Sequence, residues 1–140
     1  MKFENILAVS GLPGLYNMVT SRGNGILISD LDTEKTRFCS VRKHQFTPLE
    51  TVAIYTVMDT TPLKEVLKSM ADKEPTLAVP SVKEKSPVLS EYFGQVLEDY
   101  DPDRVQISDI KKIIKWFNFL KERDLLKTLY VAASSGEEEE

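Results

Sequence analysis

The spacing of apolar residues changes near residue 58, and this change restricts the possible folds more than any other feature of the sequence. Before that point apolar and polar side chains alternate with a period of two, which is typical of half-buried strands. Beyond it apolar residues recur every three or four positions, as on one face of an α-helix. The chain is therefore expected to contain a β part followed by a helical part.

The β part contains five candidate strands separated by turns rich in glycine, proline and aspartate. The strand segments read FENILAVSG, LYNMVTSR, GILISDL, RFCSVR and TVAIYTV, and RGNG between the second and third predicts a tight hairpin. One helical turn is expected over Thr47 to Glu50, because Pro48 suits a first helical position. These features predict an α+β protein that begins with a five-stranded antiparallel small barrel of the SH3/Tudor type. A flat five-stranded sheet packed on helices is the alternative.

A module of three helices is expected after residue 58. Its candidate helices begin with hydroxyl caps at Thr61, Ser86 and Ser108, and proline follows the first two caps directly. The third helix has the most regular apolar stripe, formed by Ile110, Ile113, Ile114, Phe117 and Leu120. By size, neither the β part nor the helical part is comfortably stable alone, so we expect them to share some core or to pack closely.

The net negative charge comes from the carboxyl end of the chain. The net charge is −4, and Glu137 to Glu140 alone carry four negative charges, so the rest of the chain is neutral. We predict a small β-barrel domain over residues 1–58, a helical domain over 59–130 and a disordered acidic tail over 131–140. The tail is expected to favour solubility, with electrostatic mimicry of nucleic acid as the alternative.

Two observations predict a cytoplasmic protein that does not enter a membrane. The longest apolar runs are far shorter than the roughly 20 residues that a membrane span requires. Cys39 is the single cysteine, so no disulfide forms within the chain, which suits a reducing compartment. The neutral body also disfavours the broad positive field that non-specific nucleic-acid binding uses.

Two longer stretches, ILAVSGLPGLYNMV and YFGQVLEDYDPDRVQISDIKKIIKWFNFL, together with the run of glutamates, resemble a family of small bacterial proteins of unknown function. The resemblance covers essentially residues 1–130. It implies an amino-terminal barrel-like domain paired with a small helical domain. It implies no catalytic residue, because the family has no assigned activity.

Motifs for catalysis or cofactor binding are weak. GLPGLY and GNG lack the spacing of phosphate-binding loops, so these glycines are expected to mark turns. Asp99, Asp101 and Asp103 alternate as in a calcium loop, but the positions that need glycine and glutamate hold other residues. We predict no metal, no cofactor and no catalytic residue. The less favoured alternative is a small enzyme that uses these aspartates or His44, the single histidine.

The candidate binding residues combine positive charge with aromatic rings. On the last helix, Lys111, Lys112 and Lys115 lie close to Trp116, an arrangement suited to phosphates or to an acidic partner surface. In the β part the corresponding candidates are Arg37, Arg42 and Tyr16. The alternative is a solvated lysine face whose aromatic residues close the core.

From these residues we predict a non-catalytic binding or adaptor protein. RNA or a ribonucleoprotein surface is the favoured partner, by analogy between folds. The alternative partner is an extended peptide of another protein, bound in an apolar groove or at a free strand edge. The oligomeric state is left open.

Overall fold

The computed structural model describes residues 2–130, which form seven strands and three α-helices. The strands are β1 (Ile6–Val9), β2 (Leu15–Arg22), β3 (Gly25–Asp30), β4 (Thr36–Ser40), β5 (Phe46–Pro48), β6 (Ala53–Tyr55) and β7 (Thr60–Pro62). The helices are α1 (Leu63–Lys73), α2 (Ser86–Val96) and α3 (Ile107–Glu122), and short 3₁₀ turns cover Phe3–Asn5, Leu49–Thr51 and Leu126–Tyr130. The tail predicted over 131–140 lies outside the described residues.

Five strands form one antiparallel sheet in the order β4-β3-β2-β1-β5. The prediction of an α+β fold with a five-stranded antiparallel sheet and three helices is confirmed. Within residues 2–130 no ladder joins the edge strands β4 and β5, so the sheet does not close into a barrel. A register shift between Met18 and Thr20 bends β2 along its length.

The fifth strand of this sheet is not the segment that the sequence indicated. TVAIYTV contributes β6, which pairs with β7 in a separate two-stranded sheet, while β5 pairs with β1 at the edge of the large sheet. Strand β5 has only three residues and ends at Pro48, which lacks a backbone donor and is tolerated at a sheet edge. A strand of three residues is too short to show an alternation of apolar and polar side chains. A helical turn is present, but it covers Leu49–Thr51 and not Thr47 to Glu50, because Thr47 and Pro48 belong to β5 and Pro48 precedes the turn.

The helices also begin at residues other than the predicted caps. Thr61 pairs with Ile54 in the two-stranded sheet, and α2 already includes Ser86. Helix α3 begins after Gln106, whose side chain accepts from the backbone of Asp109 while the Asp109 carboxylate accepts from the Gln106 N–H at 3.0 Å. This reciprocal capping box therefore caps the start of α3, the role that the sequence analysis assigned to Ser108.

The two faces of the large sheet are buried in two different clusters. Ile6 and Leu15 join the main core, in which Leu67, Phe93 and Phe117 of the three helices pack. The alternate residues of the strands form a second cluster, whose buried members are Leu7, Val9, Ile28 and Cys39. Successive side chains of a strand point to opposite faces, so β1 contributes to both clusters. The main core joins the β part to the helices, as the small size of each part led us to expect.

The sheet meets α3 at a tight junction. Gly14 has a φ of +76°, and a Cβ at that position would lie 2.5 Å from Cε2 of Phe119. The Arg123 guanidinium lies 3.6 Å from the Phe119 ring centroid, and its Nη2 donates to Asp32 Oδ2 at 3.0 Å. Gly14 thus permits a turn and a close approach, in agreement with the structural interpretation of these glycines.

No helix among residues 2–130 is long and apolar enough to cross a membrane.

Candidate binding groove

A groove of about 260 Å³ runs between β6 and the first half of α3. We call it the β6–α3 groove. It is lined by Thr47, Val52, Ala53, Ile54, Tyr55, Arg104, Val105, Asp109, Lys112, Ile113 and Trp116. Its volume lies just below the range of roughly 300 to 1,000 Å³ that is usual for small-molecule and cofactor sites. The groove is therefore better suited to a few side chains of a peptide than to a large cofactor.

One side of the groove is an open strand edge. Leu63 N–H donates to Val52 O at 2.8 Å, so the residue opposite Pro62, Ala53, directs its own N–H and C=O away from β7. Among residues 2–130 no hydrogen bond is made by these two groups of Ala53. Farther along the same edge, Asp101 N–H donates to Tyr55 O at 2.9 Å. Part of this edge thus already carries an extended segment of the chain, and the part at Ala53 is exposed.

Two cations lie over aromatic rings in the groove. The Arg104 guanidinium is 5.1 Å from the ring centroid of Tyr55, and Lys112 Nζ is 6.0 Å from that of Trp116. Each distance falls within the range of a cation–π contact. These contacts hold positive charge close to the open strand edge.

The carboxylates around the groove are engaged with their own backbone. Asp109 accepts from the Gln106 N–H in the cap of α3. Asp101 Oδ1 accepts from the Asp103 N–H at 2.9 Å, and its Oδ2 lies 3.5 Å from Arg104 Nε. Arg104 therefore forms a local ion pair with Asp101. The DPDR segment forms a turn that leads into α3.

The predicted binding residues are divided between several places. Lys112 and Trp116 line the β6–α3 groove, while Lys111 and Lys115 lie on α3 outside its lining. Tyr16 and Arg37 line a second cleft, of about 170 Å³, together with Asp30 and Lys35. Arg42 lies in the turn after β4, where its N–H donates to Ser40 Oγ at 3.0 Å.

The surroundings of Tyr16 in the second cleft favour the neutral form of its side chain. Burial raises the pKa of Tyr16, and the nearby Asp30 carboxylate raises it further, while Arg37 acts in the opposite direction. Backbone N–H groups of Thr33 and Asp32 lower the pKa of Asp30. The second cleft therefore brings the carboxylate of Asp30 together with the cations of Lys35 and Arg37.

Sequence reasoning missed Ala53, Tyr55 and the role of Arg104. Tyr55 lies in a strand segment in which apolar and polar residues alternate, and this alternation does not show whether an aromatic ring is exposed or buried in the core. The open edge at Ala53 depends on which strand pairs with β6, which the period of the sequence does not reveal. Arg104 was not among the candidate binding residues.

The residues of the enzyme alternative have structural contacts. His44 Nδ1 lies 2.8 Å from Ser10 O, and Asp101 Oδ1 accepts from the Asp103 N–H. Among residues 2–130 no three histidine, cysteine or acidic side chains are grouped so that they could hold a metal ion.

Two family models match successive parts of the chain. Residues 3–49 match a domain of unknown function (DUF5606), and residues 52–120 match another domain of unknown function (DUF6852). A solution NMR structure from Bacteroides vulgatus, determined as a structural-genomics target, is 34% identical. The match covers 88% of each chain with a TM-score of 0.70. The chain belongs to this two-domain family. The resemblance noted in the sequence is thereby confirmed.

The division of the DUF5606–DUF6852 chain bears on the groove. The two matches meet at the 3₁₀ turn Leu49–Thr51, just before β6. Apart from Thr47, the groove residues all fall in the DUF6852 part. No curated protein matches the chain.

Proposed function

We propose that the chain is a non-catalytic binding module whose β6–α3 groove holds a short extended segment of a partner protein. The observation that carries this proposal is the open edge at Ala53, which lies in a groove lined by apolar and aromatic side chains. An extended segment beside Ala53 would pair with its N–H and C=O, as in binding by β-strand addition. The segment Asp99 to Asp101 already occupies the neighbouring part of this edge.

The proposal assigns different tasks to the backbone and to the side chains. Main-chain hydrogen bonds to Ala53 would supply sequence-independent affinity. Tyr55 and Trp116 would supply apolar contact area and help to determine which side chains fit. Tyr55 is exposed, and Trp116 is partly exposed although it packs against the main core, so both rings can offer binding surface.

Ala53→Pro tests the strand edge directly. Proline removes only the outward N–H, because the ladder with β7 does not use this donor. Ala53→Val is the matched control, since it keeps the N–H and favours a strand. We would select binders for the full chain from a display library of random ten-residue peptides, then measure their affinity through the fluorescence of Trp116, the single tryptophan.

The expected result is a loss of affinity of roughly tenfold for Ala53→Pro and little change for Ala53→Val, because one main-chain hydrogen bond contributes about 1 kcal/mol or slightly more. Equal binding by both variants, with circular dichroism showing both folded, would contradict strand addition. Failure to enrich any peptide on the wild-type chain would also contradict it.

RNA remains the second candidate partner, and the basic face of α3 favours it. Lys115 is exposed on this helix and Lys111 is partly exposed, both near Lys112 and Trp116. A single-stranded oligouridine titrated against Trp116 fluorescence should bind with an affinity that falls steeply with salt. Binding that is absent at low salt, or insensitive to salt, counts against RNA.

We further infer that the large sheet is a half-open barrel of the SH3 type, in a cytoplasmic protein. The strand order, the bend in β2 and a second cluster built without any helix support the curled form. The buried free thiol of Cys39 suits a reducing compartment.

A further inference from the structure

We infer that the β6–α3 groove selects a segment with an acidic side chain, placed against Arg104 and Lys112. This inference rests on the proposed strand-binding function and adds the chemistry of the partner to it. A carboxylate can accept hydrogen bonds from both cations, and its binding would break no existing buried contact.

The side chain of Arg104 is 62% exposed, and its only ion pair among residues 2–130 is the contact of 3.5 Å between Nε and Asp101 Oδ2. The planar guanidinium has five N–H donors, so most of its donors remain available to an incoming carboxylate. Stacking on Tyr55 restricts its position and lowers the entropy lost on binding.

Lys112 has no ion pair within the described residues, and its ammonium lies over Trp116 at the other side of the groove. The single acidic residue in the lining, Asp109, is held by the cap of α3. The lining therefore carries two positive charges and one negative charge. The negative charge, on Asp109, already accepts a hydrogen bond from the backbone.

The position of the cations relative to the strand edge completes the inference. Arg104 lies three residues after Asp101, whose N–H donates to Tyr55 O, and Lys112 lies on the helix that faces β6. A strand seated at Ala53 would lie between them. An acidic side chain on that strand gains attraction from both cations, whereas a lysine would be repelled by both.

The test uses the peptides selected from the random display library on the wild-type chain. The most enriched peptide is synthesised together with analogues in which each acidic residue is replaced by its amide. Both are titrated against wild type, Lys112→Gln, Arg104→Gln and Lys115→Gln, with Trp116 fluorescence as the readout. Lys115→Gln is the matched control, because it removes the same charge from α3 outside the groove.

We expect acidic residues to be enriched, and one amide replacement to weaken binding by about fivefold, the value of a well-placed but partly exposed ion pair. Lys112→Gln or Arg104→Gln should cause a similar loss for the acidic peptide and almost none for its amide analogue. Lys115→Gln should leave the ratio between the two peptides unchanged.

Peptides that are enriched without acidic residues, and that still depend on Ala53, would overturn the inference and leave the strand-binding function intact. An equal effect of Lys115→Gln and Lys112→Gln would also overturn it, because attraction would then come from the general charge of α3. Failure to enrich any peptide would overturn both this inference and the proposed function.

Discussion

At the scale of single residues, Gly14 shows how backbone conformation and packing act together. Both Gly11 and Gly14 have positive φ, at +84° and +76°. A Cβ on Gly11 would lie 3.9 Å from His44 Nδ1, an ordinary contact, whereas on Gly14 it would collide with the Phe119 ring. An alanine at Gly11 therefore has the cost of the backbone conformation alone, whereas an alanine at Gly14 also has the cost of steric crowding.

Gly11→Ala should lower the free energy of unfolding by about 1 kcal/mol, the usual cost of a left-handed conformation for alanine. Gly14→Ala should lower it by about 3 kcal/mol, because overpacking against Phe119 adds to the same cost. Urea unfolding of both variants measures the difference. Equal losses would show that the junction between sheet and helix accommodates a methyl group.

Tyr92 is a buried residue whose hydroxyl has no hydrogen-bond partner among residues 2–130. Burial, with a smaller contribution from Glu74, raises the pKa of Tyr92 to about 12. Because its folded pKa lies above the unfolded value of 10.0, the neutral form stabilises the fold below pH 10. This stability is lost as the pH rises from 10 towards 12.

Tyr92→Phe should raise the free energy of unfolding by about 1 kcal/mol at pH 7, since it removes an unpaired polar group. The variant should also lose less stability than wild type between pH 10 and 12. Tyr130→Phe is the contrasting variant, because the Tyr130 hydroxyl donates to Asp72 at 2.7 Å. Chemical unfolding at several pH values checks both statements, and a destabilised Tyr92→Phe would refute the first.

At the scale of elements, the start of α3 matters most for the groove. The capping box between Gln106 and Asp109 fixes the first turn, and both Asp109 and Lys112 on the following turn line the groove. The cap satisfies backbone donors that have no partner within the helix. The geometry of the groove thus depends on a local interaction next to it.

Asp109→Ala should lower the free energy of unfolding by about 1 kcal/mol, the typical cost of losing a helix cap. Ser108→Ala should have an effect of a few tenths of a kcal/mol, because Ser108 is an exposed first-turn residue and not the cap. Thermal unfolding of the two variants compares them. A larger effect at Ser108 would restore the interpretation made from the sequence.

At the scale of the whole molecule, one core connects the β part to the helices. Ile6 is fully buried in the cluster that contains Phe93 and Phe117, whereas the adjacent Leu7 is buried in the second cluster. A chain with a shared core is expected to unfold in one cooperative step. The two matched domains should therefore not melt independently.

Ile6→Ala should lower the free energy of unfolding by about 3 kcal/mol, as is usual when a buried aliphatic side chain is truncated. The same shift should be seen by Trp116 fluorescence, which reports on α3, and by far-ultraviolet circular dichroism, which reports on the whole chain. Leu7→Ala is the companion variant for the second cluster. A fluorescence transition left in its wild-type position by Ile6→Ala would show that the helices fold without the sheet.

Elements of the fold and residues of the groove differ in how well the sequence predicted them. Long segments with a clear period, such as LYNMVTSR and the stripe of α3, were predicted correctly because burial of one face leaves a repeated pattern. Strand β5 was missed, because three residues ending in proline carry no period. The caps were displaced by two residues at most, since a hydroxyl residue near a helix start is a common but not a unique cap.

The sequence by itself determined the order of a β part and a helical part, the presence of basic and aromatic residues on α3, and the turn role of the glycines. Only the tertiary structure decided that β6 leaves the large sheet, that Ala53 has an open edge, and that Arg104 and Lys112 face one groove. The physical reason is that periodicity records whether a residue is buried, a property of its own side chain. Strand pairing and the meeting of distant residues depend on partners that the local pattern does not name.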